Sequence, residues 1–243
     1  MVTHALVLRR SDYRDYDRMV SLISPGYGRL DASARGVKKP KSPLINATEL
    51  FCAGEFTFVS TKVGLTMTQF ELVEGNYPIR QDYDKLIHAS YYAYLLLAAA
   101  MPGEPCPGLF QLGLKALAHL SYGTIPNELV TAMFEMQYMA LLGQAPLMSS
   151  CLNCGAVIDG PARFDAAAGG VLCPECRGEA EPISNGARRI LMKAPRVAFD
   201  KVELLMDREE WPEVAAHIRR FLSNRIEQFP RQMPELITGG TYI

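Results

Sequence analysis

The stretch CLNCGAVIDGPARFDAAAGGVLCPEC, residues 151 to 176, gathers four of the six cysteines into two Cys-x-x-Cys pairs with eighteen residues between them. Two residues between ligands let one tight turn aim both sulfurs at a single ion, and two such turns complete the four-sulfur set that zinc prefers. Cys151, Cys154, Cys173 and Cys176 are therefore the expected ligands of one structural zinc ion. Gly155 after the first pair, and Arg177 and Gly178 after the second, allow the chain to curl back so that backbone N–H groups reach the thiolates. The intervening residues offer only Val157, Ile158, Phe164, Val171 and Leu172 as apolar bulk. That is too little for a core, and bound zinc supplies on the order of 10 kcal/mol of folding free energy.

Other cysteine chemistries fit less well. A thioredoxin-like site needs one Cys-x-x-Cys where a strand opens a helix, whereas both pairs here sit in turns. A zinc deaminase needs His-x-Glu and Pro-Cys-x-x-Cys, and Pro174 lies inside the second pair. Four sulfurs leave no open position for a reacting water. Cys52 and Cys106 read as small buried hydrophobes. Between its outer cysteines the segment carries only Arg163 against Asp159, Asp165 and Glu175, so it reads as a scaffold or a protein-contact element rather than a phosphate grip.

Upstream, the chain changes character. THALVLRR, DRMVSLIS, GRLDASARGV, GEFTFVSTKV and LTMTQFELVE are short runs with the alternation of half-buried strands. Ser24-Pro25-Gly26-Tyr27-Gly28 marks a turn between the second and third, and Gly64 another between the fourth and fifth. Five short strands hide their edges by curling into a barrel. The longest break, Lys38 to Leu50, falls between the third and fourth strands, where an OB-type barrel carries its extra segment; a small SH3-like barrel would read much the same.

After residue 79 the period becomes helical. Leu86, Ile87, Tyr91, Tyr94, Leu95 and Ala98 fall on one face; a second helix is expected to open at Pro107, carrying Leu109, Leu112, Leu117 and Leu120, and a third to run from Pro126 to Gly143. Ser184 is placed to cap a fourth helix, and a last is expected over Asp207 to Phe229 with Asp207 and Glu210 as a capping box. These stripes read as bundle core without inward charge. The expected organisation is a multi-domain β + α protein: an OB-type barrel over residues 1–79, a helical bundle over 80–150 and 177–243, and the zinc module 151–176 inserted in it.

The formal charge is −1, but residues 1 to 80 hold 11 Lys/Arg against 8 Asp/Glu, a surplus of 3 that the remainder reverses. No segment is long and apolar enough to span a bilayer, and the N-terminus lacks a signal-peptide pattern, so a cytoplasmic protein with reduced thiols is expected. The basic surplus is concentrated in ARGVKKPKS: Arg35, Lys38, Lys39 and Lys41, with Arg29 upstream on the same strand. Pro40 and Pro43 are expected to keep this run extended beside a strand face, where it would follow a polyanion's backbone; a merely solvated loop is the alternative. Tyr27, Phe56 and Phe58 are candidate base-stacking rings, although Phe56 and Phe58 share a face that suits the barrel core. A second cluster, Arg188, Arg189, Lys193, Arg196 and Lys201, reads as the coat of a helix. Asp12, Asp15 and Asp17 interleave with Arg14 and Arg18 as solvated ion pairs rather than as a two-metal centre, and no Walker loop, nucleophile elbow or His-Glu-x-x-His occurs.

The stretch SDYRDYDRMVSLISPGYGRLDASARGVKKPKSPL resembles the N-terminal signature of the bacterial RecO family of DNA repair proteins. FEMQYMALLGQAPLMSSCLNCGA and FDAAAGGVLCPEC are similar to that family's approach to its zinc module and to its second ligand pair. The resemblance implies a non-enzymatic recombination mediator with an OB fold, a helical domain and an inserted zinc module. It would bind single- and double-stranded DNA, anneal complementary strands and, with RecR, help load RecA onto DNA coated by single-strand binding protein. Arg35, Lys38, Lys39 and Lys41 match the family's basic run, and the four cysteines its ligands. Pro43 stands where the family usually has arginine, and NRIEQFPRQMPELITGGTYI lacks the basic, serine-containing ending expected there. The rival reading is a zinc-ribbon adaptor whose barrel is a docking platform with no direct DNA role.

Overall fold

A computed structural model describes residues 1–199, 201 and 208–226. The chain divides into two compact units between Thr124 and Ile125. In the first, strands β1 (Val2–Tyr13), β2 (Asp17–Ser24), β3 (Gly28–Ala34), β4 (Ala53–Thr61) and β5 (Gly64–Glu74) close into a barrel in the order β1-β2-β3-β5-β4. Every neighbouring pair is antiparallel except β3 and β5, where Ala32 lies beside Leu65. A Greek key closed by β3 against β5 is the five-stranded OB arrangement, so the SH3-like alternative is set aside.

Alternation explains the barrel's interior. Ala5, Val7, Val20, Leu22, Leu30, Ala32, Ala34, Phe56, Phe58 and Met67 point inward and form its core, joined by Val37 from the loop after β3. Phe56 and Phe58 stack at 5.9 Å with their rings fully enclosed, which removes them as base-stacking candidates. β1 also buries the residues of its outer face, Leu6 and Leu8, and β2 buries Ile23. Helices α2 (Tyr83–Ala99) and α3 (Pro107–Tyr122) cover that wall. Gly113 permits the approach: a Cβ there would stand 2.8 Å from Leu96 Cδ1 and 3.2 Å from Leu6 Cδ2. A strand covered on both faces reads as a continuous apolar run, and burying each such side chain contributes about 1.5–3 kcal/mol.

Helix α2 starts where Asp82 accepts hydrogen bonds from the N–H groups of Asp84 and Lys85. Its buried stripe includes His88, Tyr92 and Leu96 with Tyr91 and Leu95, whereas Ala98, expected inside, is exposed. A short helix α1 (Tyr77–Gln81) precedes it. The Pro25–Gly28 turn is fixed by backbone contact: Gly28 has φ +65°, and a Cβ there would meet the Met101 carbonyl oxygen at 2.0 Å. Only glycine tolerates both conditions.

The second unit contains α4 (Asn127–Leu141), α5 (Asn185–Lys193) and α6 (Trp211–Ser223), with Pro126 preceding the first and Ser184 accepting from Ala187 N to cap the second. The expected capping box at Asp207, and the helix end at Phe229, lie outside the described residues. Between α4 and α5 the cysteine segment builds a four-stranded sheet in the order β6-β8-β7-β9: β6 (Leu147–Cys151), β7 (Ala162–Asp165), β8 (Gly170–Leu172) and β9 (Glu181–Ile183). The helices do carry inward charge, contrary to expectation. Glu135 on α4 and Arg219 on α6 are both buried and paired at 3.6 Å. Among the described residues no helix is long and apolar enough to cross a membrane.

Candidate nucleic-acid interface and four-cysteine centre

The β1–β2 turn and the loop after β3 are sewn together at one end of the barrel. Asp17 Oδ1 accepts a hydrogen bond from Gly36 N at 2.7 Å, and Lys38 N donates to the Tyr16 carbonyl at 3.0 Å. Val37, fully buried, plugs the loop into the core between them. The loop is consequently not extended. Lys39 N reaches Gly36 O and Ser42 N reaches Lys39 O, two successive turns made possible by Gly36 at φ 63° and Lys41 at φ 64°. Proline fixes only its own φ, at a value that turns also use, so Pro40 and Pro43 are compatible with this coil.

This folding exposes the basic run. Arg35, Lys38, Lys39 and Lys41 all face solvent. Arg35 and Lys41 meet no acid among the described residues. Lys38 Nζ lies 2.8 Å from Asp12 Oδ2, and Lys39 Nζ sits over the Tyr16 ring at 5.7 Å. The Asp12 carboxyl is held below its ordinary value, chiefly by its hydrogen bond from Lys38 and then by Arg18. Arg29 stands apart, at the opposite end of β3, about 20 Å away at 3.3 Å per residue; its guanidinium pairs with Asp31 at 3.3 Å. Two further cations nearby are engaged. Arg10 and Arg18 both bond Glu49, at 2.6 and 3.2 Å, and although burial works to raise that carboxyl these two arginines hold it below the usual range.

Barrels of this class bind oligonucleotides on the face of β2 and β3, between the β1–β2 and β4–β5 turns. Here that face carries small polar groups: Ser21 bonds Asp31 at 2.5 Å, and Ser33 bonds Thr66 at 3.1 Å. The β4–β5 turn exposes Lys62 and Val63. The β1–β2 turn exposes Tyr13 and Tyr16, with Arg14 Cζ over Tyr13 at 5.1 Å. Tyr13, Tyr16, Lys62 and Val63 were missed by sequence reasoning, which weighed DYRDYD for its acids and the arginines interleaved with them; for Tyr13 and Tyr16, two tyrosines at a hairpin turn were the available signal. Tyr27 is exposed as well, on the Pro25–Gly28 turn at the other end of β2. In the second cluster Arg188 is buried and donates to the Met148 carbonyl at 2.9 Å, so it faces β6 rather than solvent.

In the second unit the four cysteine Sγ atoms lie within 4.8 Å of one another, the one such convergence of His, Cys, Asp or Glu among the described residues. Cys154 and Cys173 Sγ are 3.8 Å apart. A tetrahedron with bonds of about 2.3 Å has edges of about 3.8 Å, while a disulfide requires about 2.05 Å. The donor set therefore fits a thiophilic metal ion. Backbone N–H groups of Cys154 and Cys173 point at the Cys151 sulfur and draw its thiol down to about 6. Hydrogen bonds from its own thiol to Cys173, Cys151 and Cys154 push Cys176 up to about 12. Four thiolates gather at such a spacing when a cation neutralises them.

The knuckles are braced from the sheet. Gly155, at φ 73°, turns its N–H back to the Cys151 carbonyl at 3.0 Å. Asn153 Nδ2 donates to the Arg177 carbonyl at 3.1 Å. Arg163, on β7, donates to the carbonyls of Cys176 and Gly178. The module's lone cation is thus turned inward. Phe164, its neighbour on β7, meets His217 edge-on at 5.3 Å and Phe221 at 6.1 Å, which seats the sheet on α6.

Comparison with known proteins agrees with this anatomy. Residues 1–76 match the family model described as Recombination protein O N terminal, and residues 80–234 the one described as Recombination protein O C terminal. The chain is 36% identical over 178 residues to a protein of Moorella thermoacetica named DNA repair protein RecO, covering 71% of this chain and 65% of that relative, just under two thirds of its length. Proteins of the same name from Acetivibrio thermocellus and Desulforudis audaxviator are 27% and 31% identical, with 93% and 98% of this chain and 92% and 96% of theirs covered.

Proposed function

The chain belongs to the recombination protein O family, and on that premise we propose that it is a non-enzymatic recombination mediator that acts in the cytoplasm at the nucleoid. It binds single- and double-stranded DNA, anneals complementary strands and works with RecR to load RecA onto DNA covered by single-strand binding protein. The observation that carries the DNA role is the exposed run Arg35, Lys38, Lys39 and Lys41, gathered on a loop sewn to the β1–β2 turn of the barrel. Annealing requires no covalent step. Two polyanions repel each other, and a surface that neutralises phosphates without reading bases lets them approach. Arg29, at the opposite end of β3 and paired with Asp31, would add a separate contact.

If Arg29, Arg35, Lys38, Lys39 and Lys41 all meet single-strand phosphates, the logarithmic salt slope of binding reaches about −3.5. Changing Lys38, Lys39 and Lys41 together to alanine is expected to weaken oligonucleotide binding and flatten the slope by about 2. An unchanged slope overturns the assignment. In the second unit, Cys151, Cys154, Cys173 and Cys176 would hold one structural zinc ion. When bound, the ion supplies the cross-links that hold a sheet of three- to five-residue strands together.

A second reading, in which the barrel docks a protein and has no direct DNA role, is favoured by one observation: Leu72 and Val73 on β5, together with Tyr77 and Tyr83, are half or more exposed. Filter binding of an oligonucleotide at two salt concentrations separates the readings, since a docking platform would show neither affinity nor slope.

A further inference from the structure

We infer that Tyr13 and Tyr16 form a stacking site for unpaired bases, and that this site makes the barrel prefer single strands to duplex. The inference rests on the DNA-binding reading of the barrel and adds to it the part of the ligand that the turn recognises. Both rings lie at the β1–β2 turn, with 45% of Tyr13 and 52% of Tyr16 exposed. Tyr13 is the last residue of β1 and pairs with Asp17, so Arg14, Asp15 and Tyr16 make the tip.

Each ring has a cation over it, Arg14 at 5.1 Å from the Tyr13 centroid and Lys39 at 5.7 Å from that of Tyr16. A cation on one side of a ring leaves the other side for a base, and it stands where the same nucleotide's phosphate would pass. Bases in a duplex are already stacked on their neighbours and present no face to such a ring. Unpaired bases do.

The backbone supports a use for the side chains at the tip. Arg14 has φ 57°, the left-handed region that glycine or asparagine usually fills. Retaining arginine there keeps a guanidinium beside Tyr13 at the expense of a relaxed turn. The local acids are largely engaged: Asp12 pairs with Arg18 and Lys38, and Asp17 accepts from Gly36 N, so of the turn's carboxylates Asp15 is the one with no ion pair or hydrogen bond among the described residues.

The test compares three ligands of equal length: an oligo(dT) strand, an abasic strand with the same phosphate backbone, and a duplex. The full chain and its Tyr13→Leu/Tyr16→Leu variant are titrated with each at two salt concentrations. The variant is expected to lose about tenfold or more in affinity for oligo(dT), with its salt slope unchanged and its binding to the abasic strand and the duplex unaltered. Tyr13→Phe/Tyr16→Phe is expected to restore oligo(dT) binding, because the ring and not the hydroxyl does the stacking. Wild-type affinity of the leucine variant for oligo(dT), or an equal loss on all three ligands, overturns the stacking site and leaves the barrel reading in place. Failure of the unaltered chain to bind any of the three overturns the barrel reading itself, and the stacking site with it.

Discussion

Lys38 and Asp12 meet at 2.8 Å, the ammonium from the loop after β3 and the carboxylate from the hairpin end of β1. In the proposed DNA-binding role, nucleic acid would therefore not find this lysine free. A phosphate would have to displace a carboxylate that is itself well exposed and shared with Arg18. Exposed pairs of this kind are weak and salt-screened, so the exchange is easily driven, but it withholds one contact from the strand. Asp12→Asn is expected to tighten oligonucleotide binding several-fold and to steepen the salt slope by about 0.7, the increment for one more single-strand phosphate contact. Titrations at three salt concentrations measure it. Weaker binding by the variant would mean that Asp12 positions Lys38 for the strand rather than competing with it.

Lys41 has φ 64°, a conformation that a residue with a Cβ adopts at a cost of roughly 1–2 kcal/mol. Glycine would remove that strain while losing about 0.5–1 kcal/mol through a freer unfolded chain. Lys41→Gly is accordingly expected to leave the barrel as stable or up to about 1.5 kcal/mol more stable. The same change should flatten the salt slope by about 0.7. Chemical denaturation followed in parallel with DNA titration checks both halves. A destabilised variant with unaltered binding would assign Lys41 to the loop's structure instead.

Much of this anatomy was legible because its signals are local. Alternation marked all five barrel strands, and Pro107, Pro126 and Ser184 marked the openings of α3, α4 and α5 as expected. Cysteine spacing alone announced the convergence of the four sulfurs. Where reading failed, the determinant lay elsewhere in the chain. Lys38 and Asp12 are 26 residues apart, and no local pattern reports their pairing. Strands β6 to β9 span three to five residues each, too few to show a period of two. Tyr91 and Leu95 are buried as their spacing placed them, but Ala98 is not, because α2 widens its inward stripe toward Tyr92 and Leu96 where the barrel wall and α3 both press on it. The helical stripes were read as free of inward charge, because no local pattern shows that α6 brings Arg219 to Glu135.

Arg163 should act as a positioning residue for the metal site. Its guanidinium holds the carbonyls of Cys176 and Gly178 and so fixes the second knuckle relative to β7. Removing such outer partners of metal ligands typically weakens metal binding 10- to 100-fold. Arg163→Ala is expected to lower zinc affinity by about tenfold in competition with a chromogenic chelator. Complete removal of the ion should unfold the β6–β9 sheet and expose Phe164, read as slowed tumbling and new proteolytic cuts between residues 147 and 183. The barrel makes its core from residues 5–70, all within the first unit, so the stripped protein should keep its oligonucleotide affinity within about twofold. A parallel loss of DNA binding would show that the cysteine centre serves the interface and not only its own unit.

The Glu135–Arg219 pair tests what fixes α6 against α4. Glu135 is wholly buried and Arg219 nearly so, and their closest atoms stand 3.6 Å apart, an ion pair rather than a hydrogen bond. Two charges withdrawn from water lose hydration that a loose contact only partly returns, yet removing one of them takes the counter-charge from the other, which costs more still. Arg219→Met is therefore expected to destabilise the second unit by about 3 kcal/mol, and Glu135→Leu by a similar amount. The double variant should recover most of the loss, because apolar side chains of matching bulk replace a pair whose desolvation was already expensive. The coupling in this cycle, read from urea denaturation followed by the single tryptophan at position 211, is thus expected to exceed 2 kcal/mol in the direction of mutual rescue. Additive losses would mean that each side chain is held by other neighbours, and that apolar packing rather than this pair sets the register of the two helices.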